Sequence, residues 1–265
     1  MRSLRARVAV GVVALLGGAL VVQALAGAQD ATGRAASPAR AATLVPTVLA
    51  VPQPGAPAYR LHAFRVPLAR ARLEIVDTAM NRGIDAVLRE RGATLVVNGG
   101  FFGMQGEPEG LAVSGRRVLS PLLARIGGGV MTVHDGIARL FAAETPPASN
   151  DLDFAVQCRP RLVVDGAVNI RSDDGRHADR TALCARDGGG VLEVVVARSE
   201  HDDGRDGPTL FTFARLLAAR GCAQALNLDG GPSTGAAWRD PRGVRVLRPR
   251  GPVRHAVVFT LDAGR

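Results

Sequence analysis

Two short boxes hold the residues best suited to chemistry, Thr94-Leu-Val-Val-Asn-Gly-Gly-Phe-Phe102 and Ala225-Leu-Asn-Leu-Asp-Gly-Gly-Pro-Ser-Thr234. In each, an apolar run predicts a buried strand, an amide or carboxylate ends it, and paired glycines turn the chain. Such a strand end lets the backbone approach a ligand closely, and the N–H groups of the turn suit an anion such as phosphate. Asp229 follows Leu226-Asn227-Leu228, a run too apolar to face solvent, and Gly230 and Gly231 can hold its carboxylate at the mouth of a pocket. Asn98, with Gly99 and Gly100 behind it, can orient a sugar hydroxyl or a phosphate oxygen. Ser233 and Thr234 follow Pro232 and offer hydroxyl donors. The same residues also make ordinary β-turns, in which an Asp accepts from the amides that follow it. A serine nucleophile is the weaker reading, because Gly-Pro-Ser-Thr-Gly lacks the Gly-x-Ser-x-Gly elbow and no histidine is placed as its base.

Taken with the segments between them, the boxes resemble the phosphodiester glycosidase family. Ala155-Val-Gln-Cys-Arg-Pro-Arg-Leu-Val-Val-Asp-Gly166 is similar to its middle strand pair, and Arg180-Thr-Ala-Leu183 to its Arg-Thr segment. The stretch Gly207 to Gly221 is similar to the helix that leads into its Asp-Gly-Gly turn, and Cys158-Arg159 and Cys184 stand where relatives have glycine. The resemblance runs from about residue 55 to the C-terminus. It implies a hydrolase that cleaves the sugar C1–O bond of a sugar 1-phosphodiester in an envelope or extracellular glycopolymer. Asp229 and Arg180 would be catalytic, with Asn98, Gly99, Gly100, Asn227, Gly230, Gly231, Ser233 and Thr234 binding substrate. The transition state of that reaction carries positive charge on the sugar and growing negative charge on the phosphate. A carboxylate serves the first, and an arginine with paired N–H donors the second. Arg180 could instead form a surface salt bridge with Asp179 or Asp173. Two rival functions use the same pocket: a non-catalytic domain that binds phosphate-containing polysaccharide, and a phosphodiesterase that cuts the P–O bond.

The elements that must position these groups are mostly strands. Short runs rich in Val, Leu and Ile predict them at Tyr59–Val66, Ala71–Val76, Thr94–Val97, Gly129–His134, Ile137–Phe141, Phe154–Gln157, Leu162–Val164, Thr181–Cys184, Leu192–Ala197, Ala225–Leu228 and Ala256–Leu261. Asp135-Gly136 and Asp165-Gly166 mark hairpin turns. Helical spacing occurs at Ile84, Val87 and Leu88, in a helix from Asn81 to Gly92, and at Leu210, Phe213, Ala214 and Leu217, between Thr209 and Gly221. The expected fold is α+β, a single domain with a mixed, largely antiparallel twisted sheet and a few packed helices.

Ahead of the domain at 58–265, three arginines precede an apolar run from Val8 to Ala28, which predicts an export signal or an uncleaved membrane anchor over residues 1–28. Residues 29–57, rich in Ala, Pro, Gly and Thr, read as a flexible linker. The domain is thus expected outside the cytoplasm, periplasmic or extracellular. A net charge of +9 raises nucleic acid as a partner, but with 4% aromatic residues and no nucleic-acid motif none is expected. Three cysteines allow one disulfide. The family frame, with Cys158 and Cys184 on strands flanking the site and Cys222 behind it, implies a bridge between Cys158 and Cys184. The segment Ser199-Glu-His-Asp-Asp-Gly-Arg-Asp-Gly207 could take a divalent cation, but it lacks the twelve-residue calcium pattern and reads as a solvated loop; Glu109 could supply a second carboxylate, with a solvated loop the stronger reading. No metal site or required cofactor is evident, and nothing in the sequence specifies an oligomeric state.

Overall fold

Apolar alternation, which sends successive side chains to opposite faces of a strand, decides how the layers stack. The computed structural model describes residues 42–53, 56–78, 82–148, 151–201 and 203–262. The leader, the first part of the linker, the expected helix start at Asn81 and Asp202 of the acidic segment lie outside the described residues.

Three sheets result. The first has seven strands in the order β1 (Thr47–Gln53), β2 (Ala56–Pro67), β13 (Val191–Ser199), β12 (Arg180–Arg186), β14 (Gln224–Asn227), β10 (Arg161–Val164) and β11 (Ala167–Val168). The second runs β16 (Gly243–Leu247), β15 (Ala236–Asp240), β4 (Leu95–Asn98), β17 (His255–Leu261) and β3 (Ala71–Asp77). The third runs β6 (Arg117–Ser120), β5 (Ala112–Ser114), β9 (Phe154–Cys158), β7 (Gly129–His134) and β8 (Ile137–Ala142). One core fills the space among them, with Phe64, Leu183, Val194 and Leu226 from the first sheet, Leu95, Val97 and Phe259 from the second, and Met131, Phe154 and Val156 from the third. The helices cover outer faces. α1 (Ile84–Glu90) packs Ile84, Val87 and Leu88 on Val96 and Val258, and α2 (Leu210–Ala219) packs Phe213, Ala214 and Leu217 on Tyr59, Leu162 and Val195. Thr209 caps α2, its hydroxyl accepting from the Thr212 N–H at 3.1 Å.

Every strand pairing among the described residues is antiparallel, so the mixed sheet expected from the sequence is replaced by three antiparallel ones. With two short α-helices among the described residues, the fold is richer in β-structure than an even α+β mixture. Both Asp-Gly turns form as expected, with φ of 48° and 72° at Asp135 and Gly136 and 49° and 77° at Asp165 and Gly166.

Two expectations fail. Thr47–Gln53, assigned to a flexible linker, is the edge strand β1, which pairs along β2 from Thr47↔Ala63 to Gln53↔Ala56. Leu44 just before it donates its N–H to the Arg239 carbonyl at 2.8 Å and packs on the core. Proline and alanine hide this strand in the composition, but at an edge one side of the backbone needs no partner, and such residues are tolerated there. Removing residues 1–57 should therefore lower stability by about 1–2 kcal/mol, the scale of a few cross-strand pairs. The bared edge of β2 should also promote self-association. Denaturant unfolding and light scattering of the truncated and longer forms check both effects.

The disulfide is the second. Cys184 joins Cys222, with Cα atoms 5.5 Å apart, and Cys158 is the free thiol. Alternation along β12 explains the pairing: Ala182 and Cys184 face α2, where Cys222 also lies, whereas Leu183 and Ala185 face the central core that encloses Cys158. Cys158 and Cys184 are on opposite sides of one sheet.

Candidate active site

The Asp-Gly-Gly turn leaves β14 and is held by two sheets at once. Leu228 N–H donates to the Thr181 carbonyl at 2.8 Å, Asp229 N–H to the Gly99 carbonyl at 3.1 Å, and Gly231 N–H to the Asp179 carbonyl at 2.8 Å. Asn98 connects these pieces. Its Oδ1 accepts from the Thr181 hydroxyl at 2.7 Å and the Gly235 N–H at 3.2 Å, and its Nδ2 donates to the Asp229 carbonyl at 2.7 Å. Gly99 is required by crowding, since a Cβ there would stand 2.9 Å from the His255 carbonyl oxygen. Gly231 is required by conformation, with φ at +57°. Asp179, fully buried, accepts from the Ser199 N–H at 2.7 Å and forms ion pairs with Arg198 at 3.2 Å and with Arg250.

This frame presents the Asp229 carboxyl to a cleft of about 390 Å³ lined by Phe101, Phe102, Glu109, Arg125, Ile126, Arg159 and Asp229. Burial pushes the Asp229 pKa above the usual carboxylate value, opposed by the Ser233 hydroxyl and by the Gly230 N–H, which donates to Oδ1 at 2.9 Å. Glu109 binds Arg125 at 2.9 Å, and the Arg159 guanidinium carbon lies 5.9 Å from the centre of the Phe101 ring. Gln157, almost fully buried, ties the two loops together: its Oε1 accepts from the Leu111 and Leu123 N–H groups, and its Nε2 donates to the Leu123 carbonyl at 2.9 Å. The result is a desolvated carboxyl in a cleft that Arg125 and Arg159 also line. That combination can stabilise a cationic carbon on one side and an anionic leaving group on the other.

Of the residues expected from the sequence, Asp229 lines the cleft. Ser233 lies beside it, its Oγ 3.1 Å from the Pro252 carbonyl and also within reach of the Asp229 carboxyl. Arg180 takes another place. Its Nε donates to the Pro208 carbonyl at 3.3 Å and its Nη2 to the Arg176 carbonyl at 2.8 Å, behind Gly230. Asp179, one of the two partners considered for it, forms its ion pairs with Arg198 and Arg250, while the charges of Asp174 and Asp179 still act on Arg180. Asn98, Gly99, Gly100, Gly230 and Gly231 frame the turn, and Thr234 is fully buried. Asn227 works from behind, its Nδ2 donating to the Arg159 carbonyl at 3.0 Å. Arg125 and Arg159 escaped the sequence reading as site residues, and Glu109 lines the cleft instead of a solvated loop. The signal for Arg159 was its place between Cys158 and Pro160 in a segment already singled out; Arg125 had none.

A family model for phosphodiester glycosidases matches residues 91–260, which include both boxes, the Arg-Thr segment and all three charged partners of the cleft. The chain belongs to the phosphodiester glycosidase family. A search of curated proteins finds no match. Among solved structures, this glycosidase is similar to the catalytic domain of zebrafish N-acetylglucosamine-1-phosphodiester alpha-N-acetylglucosaminidase, which is auto-inhibited by its pro-peptide, with a TM-score of 0.64 and 16% identity over 86% of this chain and 85% of that one. It is also similar to a hypothetical protein from Synechocystis, with a TM-score of 0.61 and 14% identity over 82% of this chain and 62% of that one. A protein from Burkholderia pseudomallei described as exported gives a TM-score of 0.52 and 13% identity, over 77% and 74% of the two chains. The enzyme is thus a hydrolase of the phosphodiester glycosidase class.

Outside the cleft, two groups of side chains among the described residues could jointly reach a metal ion, Cys184 with Glu193 and Cys222, of which the cysteines are bridged, and His134 with Asp135 and Asp153. Near the β7–β8 turn, Asp153 accepts from Arg116 at 3.1 Å and from the Asp135 N–H at 3.0 Å, which occupies both of its oxygens next to His134. In the acidic segment His201 pairs with Asp206 at 3.0 Å, and Asp203 accepts from the Arg205 N–H at 3.1 Å.

The Asn98 network carries a stability prediction. Asn98→Ala leaves the Thr181 hydroxyl, the Gly235 N–H and the Asp229 carbonyl without the partner they have now, and should cost about 2–3 kcal/mol. Chemical denaturation measures it. A loss below about 0.5 kcal/mol would mean that these groups find other partners.

Proposed function

We propose that this glycosidase is exported and cleaves the C1–O bond of a sugar 1-phosphodiester in an envelope or extracellular glycopolymer. The observation that carries the reading is that the burial-raised Asp229 carboxyl shares one cleft with Arg125 and Arg159. As the bond breaks, the Asp229 carboxylate stabilises positive charge at the anomeric carbon and directs water to it, taking up the proton that water loses as its oxygen bonds the carbon. The electron pair of the bond leaves with the phosphate oxygen, and Arg159 and Arg125 hold the departing anion through paired N–H donors. This transfers the clamp expected of Arg180 to residues that line the cleft. A phosphate monoester leaves readily, so a strong general acid is not essential, and Glu109 serves to hold Arg125 in place. Export is supported by the arginine-then-apolar leader and by a disulfide in the domain.

The test is a panel of nucleotide sugars and synthetic sugar 1-phosphodiesters, run in oxygen-labelled water with and without a chelator. The label is expected in the sugar. Label in the phosphate would mean P–O cleavage, and tight binding without product would mean a binding domain. Loss of turnover in chelator would add a divalent cation to the site.

A further inference from the structure

The ribbon that walls the cleft has a second side. Phe101 to Glu109 folds back on itself: Glu109 N–H donates to the Phe101 carbonyl at 2.8 Å, Gly103 N–H to the Glu107 carbonyl at 2.9 Å, and Phe102 bridges Pro108. Phe101, Phe102 and Glu109 line the cleft, while Gln105, Gly106, Glu107 and Pro108 line a separate groove of about 910 Å³. That volume lies in the range of small-molecule sites and is more than twice that of the cleft.

Three arginines line this groove, Arg91, Arg117 and Arg254, together with the acidic residues Asp77 and Glu107. Glu107 is held within the ribbon, its Oε2 accepting from the Gln105 N–H at 3.2 Å. His255, 4% exposed, also lines the groove, and its Nδ1 is buried with no partner in the protein. The same is true of Arg254 Nε. Buried polar atoms left without partners are costly, so this wall of the groove is under-satisfied by the protein alone. Burial pushes the His255 pKa down to about 4, so its imidazole is neutral at neutral pH and suited to hydroxyl groups more than to charge. Ile75, Val76 and Leu119 complete an apolar wall. Arginines, a neutral imidazole and an aliphatic wall together match a phosphorylated sugar: anion, hydroxyls and ring face.

The groove is also mechanically joined to the catalytic turn. The His255 carbonyl accepts the Gly99 N–H at 2.9 Å, and the Gly99 carbonyl accepts the Asp229 N–H at 3.1 Å. We propose that the groove behind the Phe101–Glu109 ribbon is a second sugar-phosphate subsite, which binds the neighbouring repeat of a substrate carrying at least two phosphodiesters. This rests on the reading of the cleft as the place where a phosphate-linked glycopolymer is cut. It narrows the substrate class from any sugar 1-phosphodiester to a chain of them.

The experiment compares synthetic oligomers of one sugar that carry one or two phosphodiesters, using full-length protein and the Arg117→Gln, Arg254→Gln double variant, which keeps most of each side-chain stem. The two-phosphate oligomer is expected to show at least a tenfold higher kcat/KM than the one-phosphate oligomer, and the double variant to remove most of that ratio with the gain in KM. Equal kcat/KM for both oligomers, or an equal loss on both in the variant, overturns the subsite and leaves the cleft reading intact. If neither oligomer turns over, the cleft reading fails, and calorimetric titration of the same two oligomers decides the subsite alone. Tighter binding of the two-phosphate oligomer that the double variant abolishes supports it, and equal binding overturns it. Unchanged thermal midpoints establish that the variant is folded.

Discussion

Asp229→Asn is expected to lower turnover of a sugar 1-phosphodiester by at least about a hundredfold, roughly 3 kcal/mol of transition-state stabilisation, while the fold persists. The amide keeps the shape of the carboxyl and can still accept from Gly230 N–H, so the turn keeps its hydrogen bonds. What disappears is negative charge beside the anomeric carbon. The pH dependence of stability supplies an internal control. Burial raises the Asp229 pKa, so the native state binds that proton more tightly than the unfolded chain does. The stabilisation is complete below the unfolded carboxylate pKa and is lost as pH rises through the higher native value. Wild type and Asp229→Asn should therefore differ in relative stability with pH, the variant gaining on wild type from acid toward neutrality. Turnover and denaturant unfolding measured together check this. An unfolded variant, or wild-type turnover, would make Asp229 a structural turn residue.

The second large effect concerns the bridge between Cys184 and Cys222. It closes a loop with a sequence separation of 38, for which chain entropy gives about 4 kcal/mol of stabilisation. Replacing both cysteines by alanine should lower the unfolding free energy by about 3–4 kcal/mol, with the largest loss of protection in α2 and β14, which lie inside or just beyond that loop. Urea unfolding and hydrogen exchange measure it, and peptide mapping without reduction identifies the bridge. A bridge involving Cys158, or a double variant as stable as wild type, would refute the assignment.

Much of the frame was legible because it depends on local pattern. Both boxes give a strand that stops at a polar residue and a double glycine, and the structure places the strands and turns there. The Arg-Thr segment was visible as a motif, and the structure adds what its neighbours do: the Asp179 carbonyl and the Thr181 carbonyl accept from the Asp-Gly-Gly turn, and the Thr181 hydroxyl donates to Asn98. Proximity in sequence could not separate these roles. Arg125 and Arg159 were beyond reach for a different reason. They come from loops far from Asp229 in the chain, and the buried Gln157 that fixes the Arg125 loop is a single polar residue in an apolar strand. The cysteine pairing failed because alternation says that Cys184 and Leu183 face apart, but not which of those faces meets Cys158.

Keeping the free cysteine across a sheet from the bridge has consequences for redox handling. Disulfide exchange requires a thiolate with access to a sulfur of the bridge. Burial pushes the Cys158 pKa up to about 12, with Asp229 adding to the rise, so the thiol is held protonated at neutral pH. An oxidising compartment can therefore close Cys184 to Cys222 once, during folding, and the native protein holds no nucleophile able to reopen it. While the fold lasts, a thiol-alkylating reagent finds nothing to label. Alkylation at Cys158 becomes a record of how often the central core opens.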